Sequence, residues 1–407
     1  MTLKNLNKVL AAEVAELEEK GTAKGSEMVV NAVKPAEGDK GPRYLVEGYE
    51  DKEFIRMNSN SYLGMSMRKE IIEAEEESAQ KYGVGPGGVR FICGTYDKHI
   101  ELEKRLADFH KKEAGMLFSS AYVTSLGVIF PLTTKQTVMV SDELNHNCII
   151  QAMRLSRPSA KLIYKHNDMD DLEQKMSEAV GRGNRVLLVT DGVFSMRGDY
   201  APFEKIKEIA DRYSDKFEEG VITIADDSHG VGAYGETGRG TEEITETFFD
   251  IVVGTLGKAF GVNGGYVVTS EEVIRYLREK APMYIYSNPI TCSECNAVLK
   301  VLDILESPDG TKRLKHLRDM TERFEKGLTD NGFETIPGPH PVVPLMVRDT
   351  QKTGKMVRHL TENGVLATGL NFPVVPKGDE EIRFQINADH TASDIDRVID
   401  VLKSFNG

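Results

Sequence analysis

The stretch Val-Val-Gly-Thr-Leu-Gly-Lys-Ala-Phe-Gly-Val-Asn-Gly-Gly-Tyr, residues 252–266, predicts a strand followed by a reactive lysine. The apolar run 250–255 is typical of a buried strand, and Lys258 follows it among glycines and an alanine. A lysine in such surroundings loses solvation, which favours the free amine over the ammonium. Lys258 is therefore predicted to be a nucleophile or a Schiff-base partner, although a lone lysine in a loop is usually a solvated surface residue.

A second apolar run precedes this lysine and ends in acidic and imidazole side chains. Val221 to Ala225 reads as a strand, and Asp226-Asp227-Ser228-His229-Gly230 follows it. Pyridoxal 5'-phosphate (PLP) is held by groups of this kind, with an acid and a histidine at the end of one strand and a lysine after another. The lysine bonds the cofactor, and a carboxylate beside the pyridine nitrogen keeps that nitrogen protonated. The two runs together predict a PLP site.

Short apolar runs alternate with helical patterns through the middle of the chain. This alternation predicts an α/β fold, in which helices cover both faces of a mostly parallel sheet. The predicted strands are 115–119, 137–141, 161–165, 185–190, 221–226, 250–254 and 264–269. Beyond them, short strands near 342–347 and 381–386 alternate with helices at 350–363 and 392–405, which predicts a smaller α+β domain. The predicted division is an N-terminal helix and loop segment (1–55), a large PLP-binding domain (56–290) and a small domain (291–407).

Composition excludes several classes of function. The net charge of −13 over 407 residues argues against a general nucleic-acid or anionic-membrane surface. No apolar run is long enough to span a bilayer, and the N-terminus lacks the features of a targeting peptide, so a cytoplasmic location is expected. Cys292 and Cys295 form a Cys-x-x-Cys pair, but no second pair stands nearby to complete a zinc site, and we expect free thiols and no metal.

A glycine-rich segment offers an alternative function. Gly230-Val-Gly-Ala-Tyr-Gly235 matches the dinucleotide fingerprint and would suggest a nicotinamide oxidoreductase. However, four residues separate the strand from the first glycine, and residues 236–241 do not read as the start of a helix that could bind a pyrophosphate. No acidic residue ends a second strand about twenty residues further on. We therefore reject this interpretation.

Several motifs in a fixed order resemble one family. From about residue 55 to the C-terminus the chain is similar to the PLP-dependent α-oxoamine synthases, which are fold-type I enzymes of the aspartate-aminotransferase type that join an amino acid to an acyl-CoA. The likeness is strongest to their glycine C-acetyltransferase (2-amino-3-ketobutyrate CoA ligase) branch. It is carried by Val-Arg-Phe-Ile-Cys-Gly-Thr (89–95), Thr-Asp-Gly-Val-Phe-Ser-Met (190–196) and Ile-Arg-Phe-Gln-Ile-Asn-Ala-Asp-His-Thr (382–391). The resemblance implies a seven-stranded, mostly parallel sheet in the large domain.

The resemblance also implies roles for individual residues at the cofactor. Lys258 matches the Schiff-base lysine, which also removes the Cα proton of the amino acid, and Asp226 matches the partner of the pyridinium. His229 and Ser195 match residues near the ring hydroxyl, and His146 matches an imidazole that stacks on the ring. The phosphate is expected at a strand-to-helix turn, where helix-start amides and the helix dipole suit a dianion. The matching groups there are the amides of Ala121 and Tyr122 and the hydroxyl of Thr255.

Substrate and subunit contacts follow from the same resemblance. Asn60 and Arg383 match positions that bind the carboxylate of the amino acid, a role for which the planar fork of arginine is suited. Ser287 and Asn288 match positions that reach the phosphate of the other subunit. The resemblance therefore implies a homodimer with shared active sites, with an amino acid and an acyl-CoA as partners.

Glycine and acetyl-CoA, or another short acyl-CoA, are the predicted substrates, and a 2-amino-3-keto acid and CoA are the predicted products. The sequence departs from the acetyltransferase pattern in three places: the loop around Lys258 is one residue shorter, Arg197 stands where an aspartate is usual, and the phosphate turn Ser-Ser-Ala-Tyr (119–122) is more similar to that of 5-aminolevulinate synthases. The shortened loop is nearer that of 5-aminolevulinate and 8-amino-7-oxononanoate synthases. Those two activities are the alternatives within the family, and a PLP-dependent C–C lyase or aminotransferase is the alternative outside it.

Overall fold

A computed structural model describes residues 3–20, 22–23, 25, 27–372 and 374–406. The strands, numbered along the chain, are β1 (Val30–Lys34), β2 (Arg43–Val46), β3 (Ile55–Arg56), β4 (Ala114–Phe118), β5 (Thr137–Asp142), β6 (Ala160–Tyr164), β7 (Arg185–Asp191), β8 (Val221–Asp226), β9 (Ile251–Thr255), β10 (Gly265–Thr269), β11 (Val342–Met346), β12 (Val365–Leu366), β13 (Thr368–Leu370) and β14 (Glu381–Gln385).

The helices are α1 (Leu3–Glu19), α2 (Lys69–Tyr82), α3 (Asp97–Phe109), α4 (Ala121–Leu132), α5 (Asn147–Leu155), α6 (Met169–Ala179), α7 (Phe203–Ser214), α8 (Thr241–Thr245), α9 (Glu271–Lys280), α10 (Pro282–Ile285), α11 (Cys292–Leu305), α12 (Pro308–Asp330), α13 (Thr350–Glu362) and α14 (Ala392–Lys403). No described helix is long and apolar enough to cross a membrane.

The chain divides into two compact units whose boundaries differ from the predicted ones. The large unit comprises Asn60–Asp319 and Gly338–Pro341, and the small unit comprises Met1–Ser59, Met320–Pro337 and Val342–Gly407. The predicted cut at 290 moves because α11 packs against α2 and α3 and so belongs to the large unit. The N-terminal segment joins the C-terminal one because β3 pairs with β12.

A seven-stranded sheet organises the large unit in the order β4-β10-β9-β8-β7-β5-β6. The links from β6 through β5, β7 and β8 to β9 are all parallel, whereas β10 runs antiparallel to both β9 and β4. The seven predicted strands are therefore confirmed to within one residue at every end, and the fold-type I architecture is confirmed as well. Strands of this kind read as continuous apolar runs because they are buried on both faces.

Both faces of the sheet carry a hydrophobic core. Successive side chains of a strand point to opposite faces, and β7 divides its residues accordingly. Leu187 and Val189 join the core that includes α4, α5 and α9, while Val186 and Leu188 join the core that includes α6 and α7. Burial on both sides sets the register of the strands and therefore the position of their carboxyl ends.

The glycine-rich segment after β8 is not the start of a helix. Residues 227–240 form turns, and α8 begins only at Thr241. A pyrophosphate would therefore find no helix N-terminus at Gly230–Gly235. The rejection of the dinucleotide-binding alternative is consistent with this geometry.

The small unit contains a three-stranded antiparallel sheet in the order β11-β14-β13. Helix α13 packs against β13 and against α14, which gives the α+β architecture that the sequence predicts. Arg43 of β2 forms a largely buried ion pair with Asp394, whose carboxylate also accepts the amide N–H of Gly41. This pair ties the N-terminal segment to α14 within the unit.

Candidate active site

The carboxyl ends of the parallel strands meet at one edge of the large sheet. In open α/β sheets this edge is where ligands bind, because the loops that leave the strands diverge there. A cavity of about 230 Å³ lies at this edge. That volume is somewhat below the roughly 300–1,000 Å³ of sites for drug-sized ligands, so the cavity suits a ligand with a single ring. Its walls are formed by Ser120, Ala121, Tyr122, His146, Cys148, Asp191, Val193, Ser195, Asp226, Ser228, His229, Thr255 and Lys258.

One wall of the cavity is the start of α4. Ser120 caps this helix, and its hydroxyl accepts the amide N–H of Val123 at 3.3 Å. The first backbone bond of the helix runs from the amide of Thr124 to the carbonyl of Ser120, at 2.9 Å. The amides of Ala121 and Tyr122 precede that bond, so the helix itself does not use them. They are available to an anion, as the sequence predicts for a phosphate.

Strand β10 approaches this turn closely because it begins with glycine. A Cβ atom added at Gly265 would lie 2.3 Å from the amide nitrogen of Ala121 and 2.6 Å from its Cα. Both are backbone atoms, so a side chain here could not be relieved by a rotamer change. A larger residue would have to displace the amides that face the cavity.

We expect Gly265→Ala to weaken PLP binding at least tenfold, because the displaced turn no longer presents its amides to the phosphate. Titration of the apoprotein with PLP, followed by the absorbance of the bound cofactor, measures the change. Gly354→Ala on α13 is the matched control, since a Cβ there meets no atom within 4 Å. Equal PLP affinity of the two variants would contradict the assignment of this turn.

Asp226 ends β8 and is the most extensively bonded carboxylate of the cavity. Its Oδ2 accepts the hydroxyl of Ser125 at 2.8 Å and the thiol of Cys148 at 3.4 Å. Its Oδ1 accepts the amide N–H of Ser228 at 3.2 Å. These donors stabilise the charged carboxylate in a buried place, where an unpaired charge would be costly. A fixed negative charge at this point suits a protonated ring nitrogen.

His146 caps α5 and faces the cavity as a neutral imidazole. Its Nδ1 accepts the amide N–H of Cys148 at 3.2 Å and therefore carries no proton. The ring lines the cavity, and partial burial is the main cause that lowers the pKa of His146. The negative charge of Asp226 raises this pKa, and the positive charge of Lys258 lowers it, but the net change is downward. A neutral ring is the form that can lie flat against an aromatic ligand without competing for its anionic groups.

Asp191 is a cavity residue that the sequence analysis did not single out. It ends β7 directly beside Asp226 in the register of the sheet. Its Oδ2 accepts the amide N–H of His146 at 3.0 Å, whereas its buried Oδ1 has no hydrogen-bond partner among the described residues. Burial, followed by the charge of Asp226, raises the pKa of Asp191 well above its usual value. The signal in the sequence was its place at the end of an apolar run, within the motif 190–196.

Lys258 follows β9 in the chain and also lines the cavity. The turn that holds it is closed by a bond from the amide of Gly261 to the carbonyl of Lys258, at 3.0 Å. Thr255, at the end of β9, is buried, and its hydroxyl accepts the amide N–H of Gly257 at 3.2 Å. Lys258, Thr255, Ala121 and Tyr122 all line the same cavity, and their roles toward a cofactor stay predictions.

His229 is held from two sides by residues that lie far from it in the sequence. The phenol oxygen of Tyr62 lies 2.7 Å from its Nδ1, and Nε2 of His340 donates to its carbonyl oxygen at 2.8 Å. Burial lowers the pKa of His340 to about 4, so its ring is neutral. The phenol of Tyr62 also donates weakly to Asn60 Oδ1, at 3.4 Å, which connects the predicted substrate residue Asn60 to this network.

Four predicted site residues do not line the cavity, namely Asn60, Ser287, Asn288 and Arg383. Ser287 and Asn288 follow α10 on the surface of the large unit, where the hydroxyl of Ser287 lies 3.5 Å from the carbonyl of Asn288. Arg383 lies on β14 of the small unit, paired in register with Pro344 and Thr368. The predicted functions of these residues stay predictions. No described group of histidines, cysteines and acids is arranged to hold a metal ion, and all four cysteines, which lie within the described ranges, are free thiols.

The residues present fit PLP. A cationic ring nitrogen would meet the carboxylate of Asp226, a phosphate would meet the start of α4, and an aldehyde would meet the amine of Lys258. The buried Asp191 Oδ1 and Ser228 Oγ, which lack partners among the described residues, leave bonding capacity at the cavity for a polar ligand. Acidic, amine and helix-start groups that converge on a small cavity are what this cofactor requires.

Comparisons with known proteins agree with this fit. Residues 52–402 match the family model described as aminotransferase class I and II. The chain is 37% identical over 393 residues to the 8-amino-7-oxononanoate synthase of Thermosipho melanesiensis, covering 95% of each chain. It is 38% identical over 371 residues to the enzyme of that name from Thermoanaerobacter pseudethanolicus, covering 91% of this chain and 90% of the relative.

A solved structure of similar fold contains PLP in bound form. A lysine-to-alanine variant of the serine palmitoyltransferase of S. paucimobilis, solved with a bound aldimine of PLP and myriocin, superposes with a TM-score of 0.87 at 25% identity, and the match covers 99% of this chain and 97% of that one. The predicted closer likeness to glycine C-acetyltransferases finds no support in these relatives, whose names point to other branches of the family. The chain belongs to the class I and II aminotransferase family and, within it, to the PLP-dependent α-oxoamine synthases.

Proposed function

We propose that this protein joins the α-carbon of an amino acid to an acyl thioester, in the manner of an 8-amino-7-oxononanoate synthase. The observation that carries the proposal is the convergence of Lys258, Asp226 and the start of α4 on one cavity. The identity of 37% to a synthase of that name over nearly the whole chain favours this reaction over the predicted condensation of glycine with acetyl-CoA.

The carbon skeleton of that product defines the substrates. 8-Amino-7-oxononanoate is a nine-carbon acid with a ketone at C7 and an amine at C8. The bond between C7 and C8 forms when a seven-carbon acyl group, with a carboxylate at its far end, is transferred to the α-carbon of alanine. The thiol leaves, and the α-carboxylate departs as carbon dioxide. We therefore propose alanine and a seven-carbon dicarboxylic acyl thioester, such as the CoA ester, as substrates.

The residues of the cavity divide the work of this reaction. When bound, PLP supplies an electron sink that stabilises negative charge at the α-carbon of the amino acid. Lys258 provides the base that takes the Cα proton, since its side chain lines the cavity and an amine is suited to general-base work. Asp226 holds a proton at the ring nitrogen, and the bonds from Ser125 and Ser228 orient its carboxylate.

The remaining groups bind, orient and exclude water. The neutral ring of His146 covers one side of the cavity, and the Ala121 and Tyr122 amides bind the phosphate. His229 and Ser195 are proposed to orient the ring hydroxyl, and Asn60 and Arg383 to bind the carboxylate of the amino acid. Ser287 and Asn288 are proposed to serve the site of a second subunit in a homodimer. Their position on the surface of the large unit is compatible with that use.

A substrate panel tests the proposal. The holoenzyme is supplied with alanine, glycine or serine, each combined with acetyl-CoA, a long-chain acyl-CoA or the CoA ester of the seven-carbon dicarboxylic acid. Release of free thiol gives the rate, and mass spectrometry gives the product. We expect alanine with the dicarboxylic thioester to be the fastest pair, with release of carbon dioxide.

The other outcomes distinguish the alternatives. Fastest turnover of glycine with acetyl-CoA would restore the substrates predicted from the sequence, and serine with a long acyl chain would place the chain with the palmitoyltransferases. Absence of thiol release with every pair would overturn the acyltransferase function and favour a lyase or an aminotransferase. Amino-acid-dependent release of an aldehyde would then indicate a lyase, and release of a keto acid would indicate an aminotransferase.

A further inference from the structure

A histidine of the large unit that does not line the cavity is bonded to a carboxylate through each of its ring nitrogens. His166 lies in the turn between β6 and α6, and its side chain is 14% exposed. Its Nδ1 donates to Asp142 Oδ1 at 3.1 Å, and its Nε2 donates to Asp199 Oδ2 at 2.9 Å. A ring that donates from both nitrogens is an imidazolium. It therefore joins two carboxylates that would otherwise repel each other.

The first carboxylate belongs to the sheet. Asp142 is the last residue of β5, and its side chain is fully buried. It accepts the amide N–H groups of Leu144 at 2.8 Å and of Asn167 at 3.0 Å. It thereby anchors the segment that leads from β5 to His146.

The second carboxylate belongs to the turn that carries Ser195. This turn, residues 193–200, is closed by a bond from the amide of Phe194 to the carbonyl of Asp199, at 2.9 Å. The ring of Phe194 packs edge-on against His166, with 4.4 Å between centroids. Asn167 Nδ2 adds a bond to the carbonyl of Tyr200 at 3.2 Å. Ser195, at the inner side of this turn, lines the cavity.

We propose that His166 is a positioning residue, which fastens the 193–200 turn to the end of β5 and so holds Ser195 in the wall of the cofactor cavity. The inference rests on the cofactor cavity of the proposed function but not on its acyl donor or amino acid. The inference about His166 can therefore be wrong while the substrate panel confirms the proposed substrates, and it can be right while the panel contradicts them.

The charges around His166 support this positioning. Burial opposes the charged ring, yet the hydrogen bonds to Asp142 and Asp199 prevail and raise the pKa of His166 to about 9. Glu143 accepts the backbone amide N–H of His166 at 3.0 Å, and Arg197 lies 3.5 Å from Asp199 as the nearby cation. The connection is intact at neutral pH. It is lost as the pH rises through the pKa of His166, because one carboxylate then loses its donor.

The test replaces the titrating ring by a neutral amide and measures PLP affinity against pH. Apoprotein of His166→Gln is titrated with PLP at pH 7 and at pH 10, followed by the quenching of tyrosine fluorescence and the absorbance of the cofactor. We expect about tenfold weaker binding than the native protein at pH 7 and near-equal binding at pH 10. A ratio that stays the same at both pH values, or native affinity at pH 7, would overturn the proposal.

Two further variants keep the test decisive if His166→Gln folds poorly. Asp199→Asn retains an acceptor for the ring but removes one charge, so the pH at which PLP affinity falls should drop by about one unit. Ser195→Ala combined with Asp199→Asn should weaken binding by less than the product of the two single effects, because both act through one turn. Strict additivity or an unmoved pH profile would count against the proposal, and His359→Gln on α13 serves as the control.

Discussion

Lys258→Ala is expected to reduce amino-acid-dependent thiol release by about 10,000-fold, which is the upper range for the loss of a positioned general base. The variant also loses the amine that can bond an aldehyde at the cavity. Binding of PLP should persist more weakly, since the start of α4 and Asp226 are untouched. Thiol release under saturating substrates measures the first effect.

Borohydride reduction measures the second effect of the same change. In the native holoenzyme, reduction followed by proteolysis should leave the cofactor on the peptide that contains Lys258, whereas Lys258→Ala should retain none. Lys161→Ala, on an exposed position of β6, is the matched control and should behave as the native protein. Cofactor fixed to a different lysine, or native rates in Lys258→Ala, would remove Lys258 from the reaction.

Asp226→Asn is expected to lower the same rate by about 100- to 1,000-fold, comparable to removal of one preorganised electrostatic group. The amide has nearly the shape of the carboxylate but carries no charge, so it cannot hold a proton at the ring nitrogen. The amide also keeps only one acceptor oxygen, whereas the hydroxyl of Ser125 and the amide N–H of Ser228 donate to different oxygens of the carboxylate, so one of these two donors faces the NH2 group and loses its acceptor. The absorbance of the bound cofactor should change together with the rate.

Asp250→Asn is the matched control for this change. Asp250 lies just before β9, and its carboxylate accepts the amide N–H and the hydroxyl of Thr223 without lining the cavity. Asp250→Asn should lower the stability of the protein but should change neither the absorbance of the bound cofactor nor the rate of thiol release. If both variants lose activity equally and without spectral change, the effect of Asp226 is structural, and the proposed partner of the ring nitrogen is wrong.

The strands of the large unit could be read from the sequence because burial on both faces leaves long apolar runs. β7 is an example, since both cores draw residues from it. Helix α2 was not among the predicted elements. Its buried residues are limited to Ile71, Ala74 and Ser78, and the glutamates between them blur the helical pattern. The unit boundaries also differed, because α11 packs on helices near the N-terminus of the large unit.

The candidate site was predicted where a functional side chain follows directly on a strand. Lys258, Asp226 and His146 are of this kind, and all three line the cavity. Asp191 occupies an equivalent place at the end of β7, but its motif, residues 190–196, predicts a role only for Ser195. Tyr62 and His340 could not have been found, because they meet His229 across separations of 167 and 111 residues.

The sequence by itself determined which side chains lie at the ends of the strands. Each strand is an apolar run, and the run ends at the residue where the backbone leaves the hydrophobic core. The tertiary structure alone decided how those side chains are held. Ser125 reaches Asp226 across 101 residues, and His166 joins Asp142 to Asp199. Such contacts depend on the order and register of the strands, which packing on both faces of the sheet sets and which no local pattern records.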